Sequence, residues 1–306
     1  MKSVAAQPSS TVTGRHLGLG IVLTLVGAVG WGFSGTCAQL LFSRPEYGVT
    51  PQWVVCVRSV LAAVFFLCVA LVRDRHRLFA VMRSPKAVGS MFVFGVFGIM
   101  LCQVCYLFAI QASNAGTATV LQSLNLLIIL VVVCARLRRR PTVKECVGVA
   151  LALVGTYLVS THGSPTGLAI SPQALGWGLA TAVAAALYTL LPGKLLYEHG
   201  SIVTTGMAMA TAGLVSCLAF RPWEIEVHLD LEGYAVVAAI VVVGTIVSFL
   251  CFLNGVKLVG SMLAGLLGCA EPVTACVLSA VWLGTVFMPV DVVGIAMIIV
   301  MMVLMS

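Results

Sequence analysis

Long apolar stretches set the strongest limit on how this chain can fold. The run "AVVAAIVVVGTIVSFLCFL" (235–253) contains no charged residue and is apolar all round, and a membrane-spanning helix needs about 20 mostly apolar residues. Similar runs recur along the 306 residues, of which 60% are apolar and only 9% are charged. A transmembrane barrel would instead require apolar and polar residues to alternate. The sequence therefore predicts an all-α membrane protein.

The hydropathy pattern predicts ten transmembrane helices. The expected ranges are 17–42, 53–72, 87–109, 113–134, 146–161, 174–196, 202–220, 233–254, 259–282 and 289–305. A polar leader precedes them, and we expect residues 1–16 to form a cytoplasmic tail. The first apolar run is too long for the central region of a signal peptide, so we interpret it as a retained anchor.

Basic residues indicate the orientation of the helices, because cytoplasmic loops retain Lys and Arg. With the N-terminus inside, all of the 17 Lys and Arg residues except Arg44, Arg58 and Arg221 lie on the cytoplasmic side. The opposite loop, 221–232, is mainly acidic. We therefore expect both termini in the cytoplasm, and we interpret the net charge of +7 as a topology signal rather than a nucleic-acid surface.

An internal repeat divides the chain into two halves, expected at 17–161 and 162–306. A shift of 146 residues aligns 98–155 with 244–301 without a gap, so that Gly98 meets Gly244 and Cys105 meets Cys251. Five helices per half is an odd number, so the second half must enter the membrane upside down. The sequence thus predicts two inverted five-helix repeats, with a substrate site near the midplane where the halves meet.

The sequence contains no recognisable motif for nucleotide hydrolysis or metal chemistry. It has no glycine-rich GxxxxGK phosphate loop, no HExxH and no GxSxG, and all five histidines fall in predicted loops. The CxxC pair Cys102 and Cys105 lies on an apolar helix without a second pair or a nearby histidine, which favours packing over metal binding. We expect no cofactor, no metal and no enzymatic activity.

Two ionisable residues lie deep within predicted helices. Glu271 is near the middle of the ninth helix and Arg58 is in the second, where a charge costs about 2.5–3.5 kcal/mol on insertion scales. Glu271 either serves transport, ionising when a cation or water reaches it, or is a neutral acid bonded to a neighbouring helix. Arg58 either binds the substrate or a charged partner, or it extends to the nearby interface or caps backbone carbonyls. Pro272 removes a backbone hydrogen bond to Gly268, so both are expected to shape the ninth helix.

Further candidates are polar or aromatic side chains at comparable depth. Gln122 and Asn125 align with the second half near Glu271, and they either bond neighbouring helices or line a pathway. Trp31 lies midway along the first helix, away from the interfaces where aromatic anchors are usual. Tyr188 in the sixth helix completes the set of candidates for substrate binding or coupling.

These features resemble the EamA-like branch of the drug/metabolite transporter superfamily. The matching segments are "GWGFSG" (30–35), Arg58, "AGTATVLQSL" (115–124), "ALYTLLPGKLL" (186–196) and "SMLAGLLGCAEPVTACV" (261–277). The resemblance implies ten helices in two inverted repeats, cytoplasmic termini, and secondary transport, often export, of amino acids, related metabolites or drugs. The chain departs from the family at Leu126, where proline is frequent.

The sequence favours a secondary transporter of the cytoplasmic membrane that exports a small metabolite, such as an amino acid, by alternating access. A multidrug exporter is the alternative within the same class, and a non-transporting sensor or scaffold is the alternative from another class. The expected partners are a small-molecule substrate and the lipid bilayer, with a homodimer left open.

Overall fold

The computed structural model describes residues 14–164 and 169–305, without the side chains of residues 14–16, 261 and 262. Nearly all of the expected tail, 1–16, lies outside these ranges. Within them, every regular element is a helix, and nine helices are long and apolar enough to cross a membrane. These are Leu17–Phe42 (α1), Pro51–Arg73 (α2), Pro85–Ala112 (α3), Ala115–Leu137 (α4), Val143–Thr161 (α5), Pro172–His199 (α6), Ser201–Phe220 (α7), Leu231–Val259 (α8) and Leu263–Leu283 (α9).

A tenth apolar helix, Pro289–Met305 (α10), is 17 residues long and shorter than the other nine. The expectation that the ninth helix begins at 259 is wrong, because α8 continues to Val259 and Gly260 adopts φ 83°, a left-handed conformation that ends the helix. The histidine prediction also fails in part. His199 is the last residue of α6, and His76 lies in a short helix, Arg75–Arg83, where a loop was expected.

Four helices depart from regular α geometry at positions that the 146-residue shift relates. A fifth, α6, is interrupted between Leu190 and Gly193 without a matching break in α1. π-Helical stretches occupy Phe94–Met100 in α3 and Val242–Val247 in α8. The helix α4 is divided into Ala115–Gln122 and Asn125–Leu137, and α9 is divided at Cys269. Such irregularities are common at functional sites in long helices.

The break in α4 arises from local hydrogen bonding rather than from proline. Backbone bonds of the tighter i to i−3 type join Leu124 N to Leu121 O at 3.1 Å and Leu127 N to Leu124 O at 3.0 Å. The Ser123 hydroxyl also donates to Thr119 O at 3.0 Å, a bond that bends helices. A proline is therefore not required for a break at this level of the bundle.

The helices pack mainly across the two halves of the chain. The most extensive contacts join α2 to α7, α5 to α10, α1 to α8 and α9, and α3 to α6. Glycine permits close approach in the first pair, because a Cβ at Gly206 would lie 3.2 Å from Phe66 Cβ and one at Gly213 would lie 3.1 Å from Val60 Cγ2. Gly155 and Gly294 play the same part between α5 and α10.

Candidate functional site

The glycines of "GWGFSG" place α1 in the centre of the bundle. A Cβ at Gly32 would lie 2.5 Å from the backbone oxygen of Glu271, so only glycine lets α1 approach α9 this closely. Gly30 meets Ser248 of α8, and Gly35 meets the Tyr106 hydroxyl of α3, in the same way. The motif therefore brings three helices, two from the second half and one from the first, around one short segment.

Trp31 projects from this segment into a group of aromatic side chains. Its ring centroid lies 4.8 Å from that of Phe252 and 5.4 Å from that of Phe249, both on α8. Phe249 also packs edge-on against Tyr188 of α6, with centroids 6.5 Å apart. Trp31 and Tyr188 are both partly exposed. Both were predicted as site residues, and both contact Phe249, which was not predicted.

Arg58 is held inside the bundle and does not extend to its surface. Its Nε donates to Thr245 Oγ1 at 2.7 Å, and its Nη2 donates to Gly244 O at 3.4 Å. The Thr245 hydroxyl donates in turn to Ile240 O at 3.0 Å, across the wider turn of the π-helical stretch. Arg58 is only 8% exposed. Arg58 therefore joins α2 to α8. Its bond to Gly244 O is of the kind expected from the sequence, in which the arginine caps a backbone carbonyl.

Five ionisable side chains from four helices lie close enough to interact electrostatically. We call them the central cluster, and its members are Arg58, Cys102, Tyr106, Tyr188 and Glu271. Glu271, the only carboxylic acid of the set, interacts electrostatically with Arg58 of the other half. It lies at mid-depth and is partly exposed as a residue.

Two polar groups of the central cluster differ in how well they are bonded. Tyr106 shares a 2.8 Å hydrogen bond with the Thr119 hydroxyl. The Glu271 carboxyl group, in contrast, forms no hydrogen bond or ion pair with any residue that the structure describes. A buried polar group is normally bonded, so this acid is open to an exogenous partner.

Gln122 and Asn125 flank the break in α4, and both are partly exposed. Within the described ranges, neither side chain forms a hydrogen bond to another helix. The structure does not join them to the central cluster by any contact of this kind. The expectation that they line a pathway stays a prediction.

Gly268 and Pro272 border the break in α9. Gly268 ends the segment Ser261–Gly268, and a Cβ there would meet no atom within 4 Å. Pro272 is buried near the start of Ala270–Leu283. The turn between them is tight, since Cys269 N donates to Leu266 O at 3.2 Å. Their role in shaping the helix stays a prediction, because α4 breaks at the matching position without proline.

A polar network joins the loop after α1 to the start of α8 at one end of the bundle. Arg44 donates to both carboxylate oxygens of Glu232 at 2.9 Å and to the Tyr47 hydroxyl at 2.7 Å. Tyr47 donates to Asp230 at 2.8 Å, and the backbone N–H of Gly233 donates to the same oxygen at 2.7 Å. These two bonds, led by that from Gly233, hold the pKa of Asp230 below its usual value.

Gln39 forms a second set of hydrogen bonds nearer the centre of the bundle. Its Oε1 accepts from Ala115 N and from Ser279 Oγ, both at 2.9 Å, and its Nε2 donates to Thr285 Oγ1 at 3.0 Å. One amide thus joins α1 to the start of α4 and the end of α9. The segment Asn125–Leu137 of α4 has no buried residue, although Leu126, Leu127 and Ile128 pack against a core cluster.

Two features of the site lay beyond the sequence reasoning. Cys102 was interpreted as packing, yet it belongs to the central cluster, and Thr245 was not considered, although it is the nearest partner of Arg58. The shift of 146 residues offers one overlooked signal. It also relates "GWG" at 30–32 to "GWG" at 176–178, which marks Trp177 as the counterpart of Trp31.

No group of three or more His, Cys, Asp or Glu side chains in the described ranges is arranged to hold a metal ion. A helical bundle of membrane-crossing length that encloses ionisable groups at mid-depth is typical of membrane transport proteins. Comparison with known proteins gives the same class. The EamA-like transporter family matches residues 18–161 and again 173–306. The chain belongs to the EamA-like transporter family and is a membrane transporter.

Two relatives agree with this assignment, and one solved structure shares the fold. The "Uncharacterized inner membrane transporter YicL" of Salmonella typhimurium (strain LT2) is 34% identical over 289 residues, 94% of this chain and 95% of the relative. The "Uncharacterized transporter YetK" of Bacillus subtilis (strain 168) is 24% identical over 296 residues, 94% of this chain and 84% of the relative. A protein crystal structure with 20% identity superposes with a TM-score of 0.62 over 92% of this chain and 96% of its own, which shows a shared fold.

Proposed function

We propose that this transporter is a secondary carrier that exports a small amphipathic metabolite, such as an amino acid, by alternating access. In this proposal ten helices form two inverted five-helix repeats, 17–161 and 162–306, and the substrate binds between them at the central cluster. The observation that carries the proposal is the Glu271 carboxyl group, which interacts electrostatically with Arg58 at mid-depth and has no hydrogen-bond partner among the described residues.

The packing pattern supports the inverted repeat. Exchanging each helix for the one five places later turns the pair α1 and α8 into α6 and α3, and both pairs are in extensive contact. The same exchange leaves the pairs α2 with α7 and α5 with α10 unchanged. It also matches the π-helical stretches of α3 and α8 and the breaks of α4 and α9. A two-fold pseudo-axis through the bundle accounts for all of these relations.

The chemistry of the central cluster supports a zwitterionic substrate. A guanidinium group binds a carboxylate with two hydrogen bonds, and Nη1 of Arg58 has no partner in the described ranges. A carboxylate at Glu271 is the complementary group for an amine. Trp31 and Tyr188, which are partly exposed and both pack against Phe249, provide apolar surface for the rest of the molecule.

The distribution of Lys and Arg places the network around Arg44 on the outer side of the membrane in this proposal. The same distribution favours both termini in the cytoplasm. Because one relative is named an inner membrane transporter, the inner membrane is the proposed location.

Metabolite comparison would test the proposal most broadly. Cells that overproduce the protein should accumulate one class of amphipathic metabolite in the medium, and cells that lack it should retain that class. Equal metabolite levels in both strains would contradict export and would favour a sensor or scaffold.

A multidrug exporter is the second candidate, because the aromatic side chains around Trp31 also suit a large apolar substrate. Replacement of Arg58 by Ala distinguishes the two. An amino-acid carrier should lose substrate affinity, by roughly tenfold or more for a lost charged hydrogen bond. An exporter of apolar compounds should keep its substrate affinity, although both should lose the stability that Arg58 contributes by joining α2 to α8.

A further inference from the structure

The short helix Arg75–Arg83 occupies a distinctive position between two membrane-crossing helices. Only Asp74 separates it from the end of α2, and only Ser84 separates it from α3. Leu78 and Val81 are buried and pack against the bundle in one apolar cluster with Met91. Because both neighbours end here, the helix is fixed at the level of the lipid headgroups.

A second face of this helix points away from the bundle and is apolar at its centre. Phe79 and Met82 lie three residues apart, hence on the same side, and are 48% and 58% exposed. Arg75 and Arg83 lie four residues before and after Phe79, so each of these exposed arginines stands beside it on that side. Apolar side chains between cationic ones are the pattern of a helix that lies in a membrane interface.

The charge of the surrounding segment is strongly positive and is not neutralised by the protein. Residues 73–86 contain five exposed Lys and Arg side chains and one acid, Asp74. In the described ranges none of the five forms an ion pair, whereas Arg139, which lies in the other basic loop, pairs with Glu145 at 2.6 Å. The five are Arg73, Arg75, Arg77, Arg83 and Lys86.

We propose that Arg75–Arg83 is a docking surface for anionic phospholipids. Phe79 and Met82 enter the boundary between headgroups and acyl chains, while Arg75 and Arg83 contact lipid phosphates on either side. Charge complementarity and the fixed depth of the helix select a lipid leaflet as the occupant, in preference to a soluble protein. The proposal does not depend on the transported substrate.

Spin-labelled lipids would test this surface on the full-length protein. The purified protein is reconstituted in phosphatidylcholine vesicles that carry trace spin-labelled phosphatidylglycerol or phosphatidylcholine, and the motionally restricted fraction gives the preference between the two. The double variant Arg75→Gln/Arg83→Gln should reduce the preference for phosphatidylglycerol, by up to roughly fivefold for each charge removed. The variant Arg138→Gln/Arg140→Gln, which removes two exposed and unpaired charges from the other basic loop, should keep it.

Hydrogen exchange in nanodiscs supplies a measurement specific to the segment. Amides of residues 75–83 should exchange more slowly with phosphatidylglycerol present than with phosphatidylcholine alone, and Phe79→Ser/Met82→Ser should abolish the difference. All substituted side chains are exposed, so the variants should melt like the wild type. An unchanged lipid preference in Arg75→Gln/Arg83→Gln, or an equal loss in the control variant, would overturn the proposal. So would exchange rates at 75–83 that are independent of lipid charge.

Discussion

Replacement of Gly32 by Ala should disturb the site through the backbone of α9. The new Cβ would lie 2.5 Å from Glu271 O, 2.8 Å from Thr274 Cβ and 3.1 Å from Ala275 N. These atoms belong to helix backbone or to its first side-chain carbon, so α1 and α9 must separate. Overpacking of this kind costs about 1–3 kcal/mol, of which the better helix propensity of Ala recovers about 0.5–1 kcal/mol.

Gly89→Ala is the matched control, because it makes the same change inside a membrane-crossing helix, α3, where no atom lies within 4 Å. Thermal unfolding in detergent should show a lower midpoint for Gly32→Ala and an unchanged or slightly higher midpoint for Gly89→Ala. Transport of an amino-acid mixture into proteoliposomes should fall by roughly tenfold or more in Gly32→Ala alone, since small displacements of site residues are that costly. Equal midpoints and equal rates in the two variants would refute the packing argument.

Two further changes test other contacts. Thr245→Val removes the hydroxyl that accepts a hydrogen bond from Arg58 Nε, so the free energy of unfolding should fall by about 1–3 kcal/mol. Thr181→Val is the control, because the Thr181 hydroxyl bonds only within its own helix. Asp230→Asn should weaken the polar network around Arg44 at neutral pH. The pKa of Asp230 is lowered in the folded state. Its contribution to stability is therefore present above the unfolded-state pKa of about 3.9 and is lost as the pH falls through the folded-state pKa.

Each of these two predictions has a clear contrary result. For Thr245, a stability equal to that of the wild type would show that Arg58 is not held at the π-helical stretch. For Asp230, the difference in melting temperature between wild type and Asp230→Asn should shrink below about pH 4. A difference that stays constant from pH 7 to pH 3 would exclude the ionised carboxylate as the stabilising group.

Hydropathy predicts much of the helix pattern, because it selects membrane-crossing segments directly. In the described ranges nine expected segments correspond to helices long and apolar enough to cross a membrane, and the tenth corresponds to the shorter helix α10. Most ends differ by only a few residues. The predicted start of the ninth helix was wrong because Gly260, rather than a change in hydropathy, ends α8. The helix at Arg75–Arg83 was missed because its charges conceal a short apolar face, Leu78 and Val81.

The candidate site could be predicted only in part. Depth within a span singled out Arg58 and Glu271, since ionisable groups there are costly and must face the interior. The partner of Arg58 is 187 residues away and depends on how α2 meets α8, which no local pattern encodes. The environment of Trp31 likewise depends on glycine contacts between helices that are distant in the sequence.

Replacement of Glu271 by Gln is the most direct test of the proposed site. The change keeps the shape of the side chain and removes only its capacity to ionise. Counterflow of a radiolabelled amino-acid mixture should be measured in proteoliposomes from pH 5 to pH 9, for wild type and for Glu271→Gln. The proposal predicts a rate reduced by roughly tenfold or more and the loss of the wild-type pH dependence. Wild-type rates with an unchanged pH profile would show that this acid is not part of the transport mechanism.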